Sequence, residues 1–278
     1  MTGTPPRTPP QIIYTDLDGT LLGRGGSIFH TAAGDFTMVG ADALRRCRTR
    51  GAQVCFCSGR SEKLLREDAR ILGINRYIAE AGCVLVRDNG SSVINNCEPF
   101  GHRDGITVFE EIGATGAPEL LLDHFGKALA YHEPWYREHS YSHLLRGQID
   151  IGGANELLVE RGLGEFKLVD NGVIEDRGYN MPVENLHAYH IIPRRSGKGS
   201  AIELDLKLSG LAREDAIACG DSAQDLEMAG AVRSLYLMAN AAENHSGLPE
   251  MLKAYDNVVL LKAAMVEGFS EAVRRELE

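Results

Sequence analysis

The sequence predicts an α/β protein, a parallel sheet of βαβ units interrupted by an inserted α+β segment. Three observations lead there. Short apolar runs alternate with helix-like stretches near the start of the chain, and the same alternation returns after about residue 190. Between the two the rhythm breaks, beginning near Leu85 and ending near His187. Strand–helix–strand alternation implies parallel strands joined by right-handed crossovers, so the two regular stretches are expected to build one sheet.

Each element follows from its local pattern. QIIYTDL (residues 11–17) is a short apolar strand ending in polar residues. After a glycine-containing loop over residues 23–40, GADALRRCRTRG carries a helical pattern. AQVCFCS is a second buried strand ending at Ser58, SEKLLREDARILG a helix with Ser61 as N-cap, and RYIAEAG a third short strand. The middle segment offers short strands in SSVINN and HLLRGQIDI, and in EFKLVD and VIEDR around an expected hairpin turn at Asp170-Asn171-Gly172. PELLLDHFGKALA and GGANELLVERG read there as helices. Late in the chain GKGSAIELDLKLSG is helical, AIACGDS a strand, AQDLEMAGA helical and SLYLMAN a strand; VVLLKA and a last helix ending in RRELE follow.

Composition narrows the partners. The chain has 278 residues, 44% of them hydrophobic, enough for a large buried core. A formal net charge of −10 with no block of Lys and Arg argues against nucleic acid or an anionic membrane as the main partner. An anionic small substrate would then need a local positive site. Cys47, Cys55, Cys57, Cys83, Cys97 and Cys219 form no CxxC pair and no framework spacing, so a reduced, cytoplasmic protein is expected. MTGTPPRTPP lacks an apolar targeting core and reads as a disordered leader, and no segment reaches the ~18 apolar residues of a membrane span. The expected organisation is a leader at residues 1–10, a core of residues 11–84 and 188–278, and an inserted domain of residues 85–187.

Several polar residues fall at strand ends, the edge of a parallel sheet where ligands bind. Asp16 and Asp18 in DLDGT repel unless a cation or hydrogen-bond donors compensate. At an i, i+2 spacing in an extended chain, both point to one side. Asp221 and Asp225 in GDSAQD lie four apart at a strand-to-helix junction and can converge. An all-oxygen set of this kind suits Mg²⁺ better than zinc. Ser58 places a hydroxyl beside the backbone N–H groups of the next turn, Gly59 among them, a suitable seat for phosphate. Lys198 in RRSGKGSAI is not a P-loop lysine, because that pattern needs glycine where Ile192 stands and a hydroxyl residue where Gly199 follows. Each motif alone has a plainer reading, as a turn, a helix cap or an exposed lysine. Their common position at strand ends is what makes a site of them.

Taken in order, DLDGT, SGR at residues 58–60, GKG around Lys198 and GDSAQD resemble the four motifs of the haloacid dehalogenase superfamily of phosphatases and phosphomutases. The long insertion between Ser58 and Lys198 is similar to the large cap of the C2, or IIB, branch, as in Cof-type, sucrose-phosphate and mannosyl-3-phosphoglycerate phosphatases. The resemblance implies a Rossmann-like parallel-sheet core carrying an α+β C2-type cap. It implies Asp16 as a nucleophile that forms an aspartyl-phosphate, which splits one displacement into two easier ones. Asp18 would protonate the leaving alcohol and then take a proton from water. Asp16, the backbone carbonyl of Asp18, Asp221 and Asp225 would hold Mg²⁺, and Lys198 would neutralise Asp16 and the phosphoryl oxygens. Ser58, Gly59 and Lys198 would bind phosphate. The substrate implied is a small phosphorylated metabolite, such as a sugar phosphate or a phosphorylated glycoside.

Two departures from the family pattern stand out. Glu80-Ala81-Gly82 occupies a place where relatives often carry Asn-Gly, and Gln224-Asp225 one where they often carry Asn-Asp. In the insertion, YHEPWYREHSYSHLLRG gathers aromatic rings with Arg137, His139, His143 and Arg146, a candidate sugar-reading surface. Arg60 and Glu80 are further candidates for substrate contact. His139 and His143 have metal-pair spacing without a nearby third ligand. Three other functions compete. A phosphomutase shares the core but must return the phosphoryl group to its substrate. A glycosyltransferase using DLD as its metal motif leaves Lys198, Ser58 and GDSAQD without a shared purpose. A non-hydrolytic phospho-binding module, similar to a receiver domain, has no need of Asp18.

Overall fold

A computed structural model describes residues 8–245 and 247–278. Most of the expected leader, residues 1–7, lies outside the described residues. In chain order the first part contains β1 (Ile12–Thr15), α1 (Val39–Thr49), β2 (Gln53–Cys57), α2 (Glu62–Leu72), β3 (Tyr77–Ala79), β4 (Val84–Arg87) and β5 (Ser92–Asn95). The middle contains α3 (Val108–Gly113), α4 (Ala117–Phe125), β6 (Leu129–Tyr131), β7 (His143–Gly147), α5 (Ile151–Glu160), β8 (Phe166–Val173) and β9 (His187–Pro193). The last part contains α6 (Lys198–Ser209), β10 (Ala216–Gly220), β11 (Ser234–Leu237), α7 (Asn240–Asn244), α8 (Leu248–Leu252), β12 (Val258–Leu260) and α9 (Met265–Leu277).

The main sheet has the order β12-β11-β10-β1-β2-β3-β4-β5. It is parallel from β12 to β3, and β3, β4 and β5 then pair antiparallel. Its central strands are apolar on both sides, because successive side chains alternate between faces and helices cover each. Ile13, Phe56, Ile217 and Cys219 pack with Ala43, Cys47, Phe269 and Val273 on one face. Ile12, Tyr14, Cys55 and Ala218 pack with Ala201, Ile202 and Leu206 on the other. Ser61 caps α2 as expected, its side chain accepting from the Leu64 backbone N–H. A second, antiparallel sheet, β6-β7-β9-β8, packs one face on α3, α4 and α5 through Ile112, Leu121, Leu158, Leu145, Phe166 and Ile191.

Sheet membership moves both expected edges of the insertion. β4, which begins at residue 84, and β5 run past that edge yet extend the main sheet, and β9, which begins at residue 187, runs on to residue 193 yet belongs to the second. Local pattern identifies a strand without saying which sheet it joins. The expected hairpin turn at Asp170-Asn171-Gly172 is also absent. β8 runs through it against β9, with the register shifting between Asp170 and Val173, so the three residues form a bulge. The stretch expected as the helix AQDLEMAGA is a 3₁₀ turn over Gln224–Gly230. All six cysteines are free thiols and buried, and among the described residues no helix is long and apolar enough to cross a membrane.

Candidate active site

β10, β1 and β2 are neighbouring parallel strands, so their C-terminal ends deliver Asp221, Asp16 and Ser58 to one edge of the sheet. Asp16 follows β1, its backbone N–H donating to the Cys219 carbonyl at 3.0 Å, which ties it to the end of β10. Lys198 is the first residue of α6, and its side chain is fully buried. Its Nζ lies 3.3 Å from Asp16 Oδ1 and 2.7 Å from Asp225 Oδ1. The other Asp225 oxygen accepts from the backbone N–H groups of Asp221 and Ser222, at 3.0 and 2.9 Å, and from the Ser222 hydroxyl at 2.7 Å. Asp225 thus folds the GDSAQD turn back on itself and anchors the lysine. Asp221 is held by two residues that the sequence reading left without a role: Thr20 Oγ1 donates to it at 3.0 Å and Asn240 Nδ2 at 2.9 Å. Thr20 stood inside DLDGT and was legible there. Asn240 carries no local signal and arrives only through the turn after β11.

Carboxylate oxygens of Asp16, Asp221 and Asp225 lie within 4.8 Å of one another. Burial and the neighbouring carboxylates push Asp16 up to about 7 against the opposing pull of Lys198. Burial, Asp16 and Asp225 likewise hold Asp221 well above the usual carboxylate range. Burial alone would lower Lys198, but Asp16 and Asp225 outweigh it and keep the ammonium charged. Three buried acids against one ammonium leave an excess of negative charge that a bound cation would neutralise. The residues fit such an ion: the donors are all oxygen, and Asp16, Asp221 and Asp225 each bring a carboxylate oxygen to the same place. Asp225, whose Oδ1 holds Lys198 and whose Oδ2 accepts three bonds, is the most heavily engaged of the three.

The two aspartates of DLDGT part company. β1 ends at Thr15, so residues 16–18 form a turn and the expected alternation does not carry through. Asp16 is buried, whereas the Asp18 side chain is about half exposed and forms a bidentate ion pair with Arg60 at 2.8 and 2.7 Å. Arg60 also holds Asp68 at 2.7 Å. The loop after β1 returns to lie beside this pair at Gly26. Arg60, a candidate for substrate contact, thus sits at the site but on Asp18. Ser58 Oγ accepts from the Arg60 backbone N–H at 3.3 Å, and the Asn171 side chain of β8 lies against Gly59.

The remaining candidates are placed elsewhere. Glu80 is fully buried, accepting from the backbone N–H groups of Ser140 and Tyr141 at 3.0 and 2.8 Å and from the Ser142 hydroxyl at 3.1 Å. Burial would raise its pKa, but the bonds from His139 and from these backbone groups outweigh that and keep it below the usual range. His139, buried, lies 3.3 Å from Glu80 and bonds Ser142 at 3.0 Å, so the two form a strut between the sheets. Arg137 is exposed and pairs with Glu133 at 3.1 Å, and Arg146 donates to the Glu133 carbonyl at 3.0 Å and stacks 3.9 Å over Tyr179. The expected reading surface is therefore taken up by contacts within the insertion, because its aromatic rings pack its cations. The His139–His143 metal spacing fails as well. His143 Nε2 donates to the Phe109 carbonyl at 2.7 Å and its Nδ1 accepts from Tyr131 at 3.3 Å, leaving no free ring nitrogen.

The chain is similar to known proteins over most of its length. A family model described as haloacid dehalogenase-like hydrolase matches residues 13–104 and 177–248. The chain is 29% identical over 222 residues to a phosphoglycolate phosphatase of Metallosphaera sedula, covering 78% of this chain and 80% of that one. A phosphoglycolate phosphatase of Sulfolobus acidocaldarius is 25% identical over 238 residues, covering 84% and 86%. Among solved structures, the sucrose-phosphatase of a Synechocystis species with sucrose and phosphate superposes with a TM-score of 0.64 at 16% identity, over 96% of this chain and 98% of that one. Protein 0175 of Thermoplasma acidophilum superposes with a TM-score of 0.64 at 17% identity, over 96% and 99%. These two likenesses establish the shared fold, a sheet core with an inserted cap. With the family model matching more than half of its residues and the four motifs meeting at one sheet edge, the chain belongs to the haloacid dehalogenase-like hydrolases.

Proposed function

We propose that the protein is a Mg²⁺-dependent phosphomonoester hydrolase that acts through an aspartyl-phosphate on a small phosphorylated metabolite. The observation that carries this reading is the buried Lys198 bridging Asp16 and Asp225 beside Asp221, at the ends of three adjacent strands. In the first half-reaction an Asp16 carboxylate oxygen bonds to phosphorus while the ester P–O bond breaks, and Asp18 gives its proton to the departing oxygen. In the second, water attacks phosphorus, Asp18 takes the water proton, and the Asp16–phosphorus bond breaks to release inorganic phosphate. Lys198, Ser58 and the backbone N–H of Gly59 hold the phosphoryl oxygens. Asp16, Asp221 and the Asp18 carbonyl, with Asp225 behind them, would hold Mg²⁺, which when bound would supply positive charge that favours ionised Asp16 and offsets the negative charge on the phosphoryl oxygens.

The names of the relatives put phosphoglycolate first among substrates to try, beside sugar phosphates. The test is phosphate release across a panel of phosphomonoesters with Mg²⁺, with Asp16→Asn as the blank. Phosphate release without a bisphosphate activator is expected from the wild type, which separates a phosphatase from a mutase. Retained activity in Asp16→Asn would overturn the assignment.

A further inference from the structure

Lys198 stands between two glycines, and both lie against one residue. A Cβ on Gly197 would overlap the Glu227 carboxylate at Oε2, and one on Gly199 would overlap the Glu227 backbone oxygen. Glycine at both places lets the 3₁₀ turn over Gln224–Gly230 pack directly on the start of α6. The other Glu227 oxygen, Oε1, accepts from Lys167 Nζ at 2.9 Å. Lys167 belongs to β8 in the second sheet, and its ammonium also lies 3.4 Å from where a Cβ on Gly197 would sit.

A second set of contacts reaches the same point from the end of β5. Asn96 Nδ2 donates to the Gly82 carbonyl at 2.8 Å and to Ser200 Oγ at 3.0 Å, and the Asn96 carbonyl accepts from Ser196 Oγ at 2.8 Å. Ser200 Oγ in turn donates to the Gly197 carbonyl at 3.1 Å. Glu227 adds a charged contact to these neutral ones, and its partner comes from the second sheet.

The side chains of Lys167 and Glu227 are 19% and 34% exposed, and a partly exposed pair is worth little to stability. Its place gives it a different weight. Lys198 Nζ must stay 2.7 Å from Asp225 and 3.3 Å from Asp16, and a misplacement of about 1 Å at a catalytic group can cost about a hundredfold in rate. Without Lys167 the Glu227 carboxylate is free to turn to solvent. Gly197 has no side chain to fill the gap, so the start of α6 gains room to move.

Resting on the phosphatase reading above, we infer that Glu227 and Lys167 are positioning residues that fix Lys198 in its bridge between Asp16 and Asp225. Glu227 presses on the backbone either side of the lysine, and Lys167 keeps Glu227 in that place. Alignment of the ammonium therefore depends on the second sheet, through an ion pair outside the aspartate cluster.

The experiment measures kcat and KM for p-nitrophenyl phosphate with Mg²⁺ in wild type, Lys167→Met, Lys167→Arg and Glu227→Gln, with urea unfolding of each. Lys167→Met and Glu227→Gln should each lower kcat about tenfold while KM stays within about twofold, the pattern of a contact needed in the transition state. Lys167→Arg, which keeps the pair, should stay within about threefold of the wild type. Unfolding midpoints should move little. Lys167→Met is then combined with Lys198→Met. Acting through Lys198, it should add less than about twofold to the loss in that background. A merely structural role would cost the same factor with or without the lysine. Should the double variant fail to fold, amide hydrogen exchange of residues 197–201 in Lys167→Met decides instead, with exchange about tenfold faster than in the wild type expected. A kcat unchanged within about twofold in both single variants, a rise in KM alone, an equal loss in the Lys198→Met background, or unchanged exchange overturns this inference and leaves the phosphatase reading intact. Absence of phosphate release by the wild type from every ester overturns that reading and this inference with it.

Discussion

Replacing Lys198 with Met tests the electrostatics of the site while keeping side-chain length and bulk. Lys198 Nζ is 2.7 Å from Asp225 and 3.3 Å from Asp16, and all three side chains are buried. Removing one partner of a buried ion pair costs about 3–5 kcal/mol, because the other charge stays buried and unpaired. Asp225 keeps three further donors from Asp221 and Ser222, so the lower figure, about 3 kcal/mol at pH 7 without divalent cations, is expected. The loss should depend on pH. Asp16 is raised from 3.8 to about 7 in the folded protein. A group raised in this way contributes stability fully below its unfolded pKa and loses it as pH rises through the folded value. When Asp16 is protonated, Lys198 has one charge fewer to satisfy, so the deficit of Lys198→Met should be smallest near pH 5 and grow toward pH 8. Urea unfolding across that range measures it, and phosphate release should fall about a hundredfold or more. A deficit below about 1 kcal/mol at pH 7, or one independent of pH, would refute the account of this cluster.

Two other substitutions address the joint between the sheets. Glu80→Gln keeps the shape but loses charge-assisted bonds from Ser140, Tyr141 and Ser142, so stability at pH 7 should fall by about 2 kcal/mol. Because Glu80 is lowered from 4.5, its contribution is present above that value and is lost as pH falls through its folded pKa. The difference between variant and wild type in chemical denaturation should therefore shrink below 4.5, and a difference that widens there contradicts the cradle. Gly82 has a φ of +97°, and a Cβ on it would lie 2.1 Å from the Gly197 backbone carbon, just before Lys198. Gly82→Ala should lower stability by about 2 kcal/mol or more and displace the start of α6, so thermal unfolding and phosphate release should both suffer. Wild-type behaviour in both assays would show that the contact is not needed.

The sequence by itself determined the α/β core and the chemistry-bearing residues. Apolar runs buried on both faces mark parallel strands wherever they occur, and the polar residues ending them fall at one edge whatever else the chain does. Asp16, Ser58 and Asp221 were legible for that reason, and Lys198 and Asp225 through the order of the four motifs. The sequence could not say which sheet β4, β5 and β9 join, because strand pairing is a long-range choice that leaves no mark on local periodicity. Nor could it show that Asp18 turns from Asp16 to Arg60, since the strand ends one residue before the first aspartate. In the cap, charged and aromatic residues that suggested a reading surface around Arg137 and Arg146 pack on one another. A three-residue run that looked like a turn became the bulge at Asn171, resting on Gly59. Motif order is written along the chain and survives without a structure. Which side chain meets which across more than a hundred residues is decided only when the second sheet docks on the first.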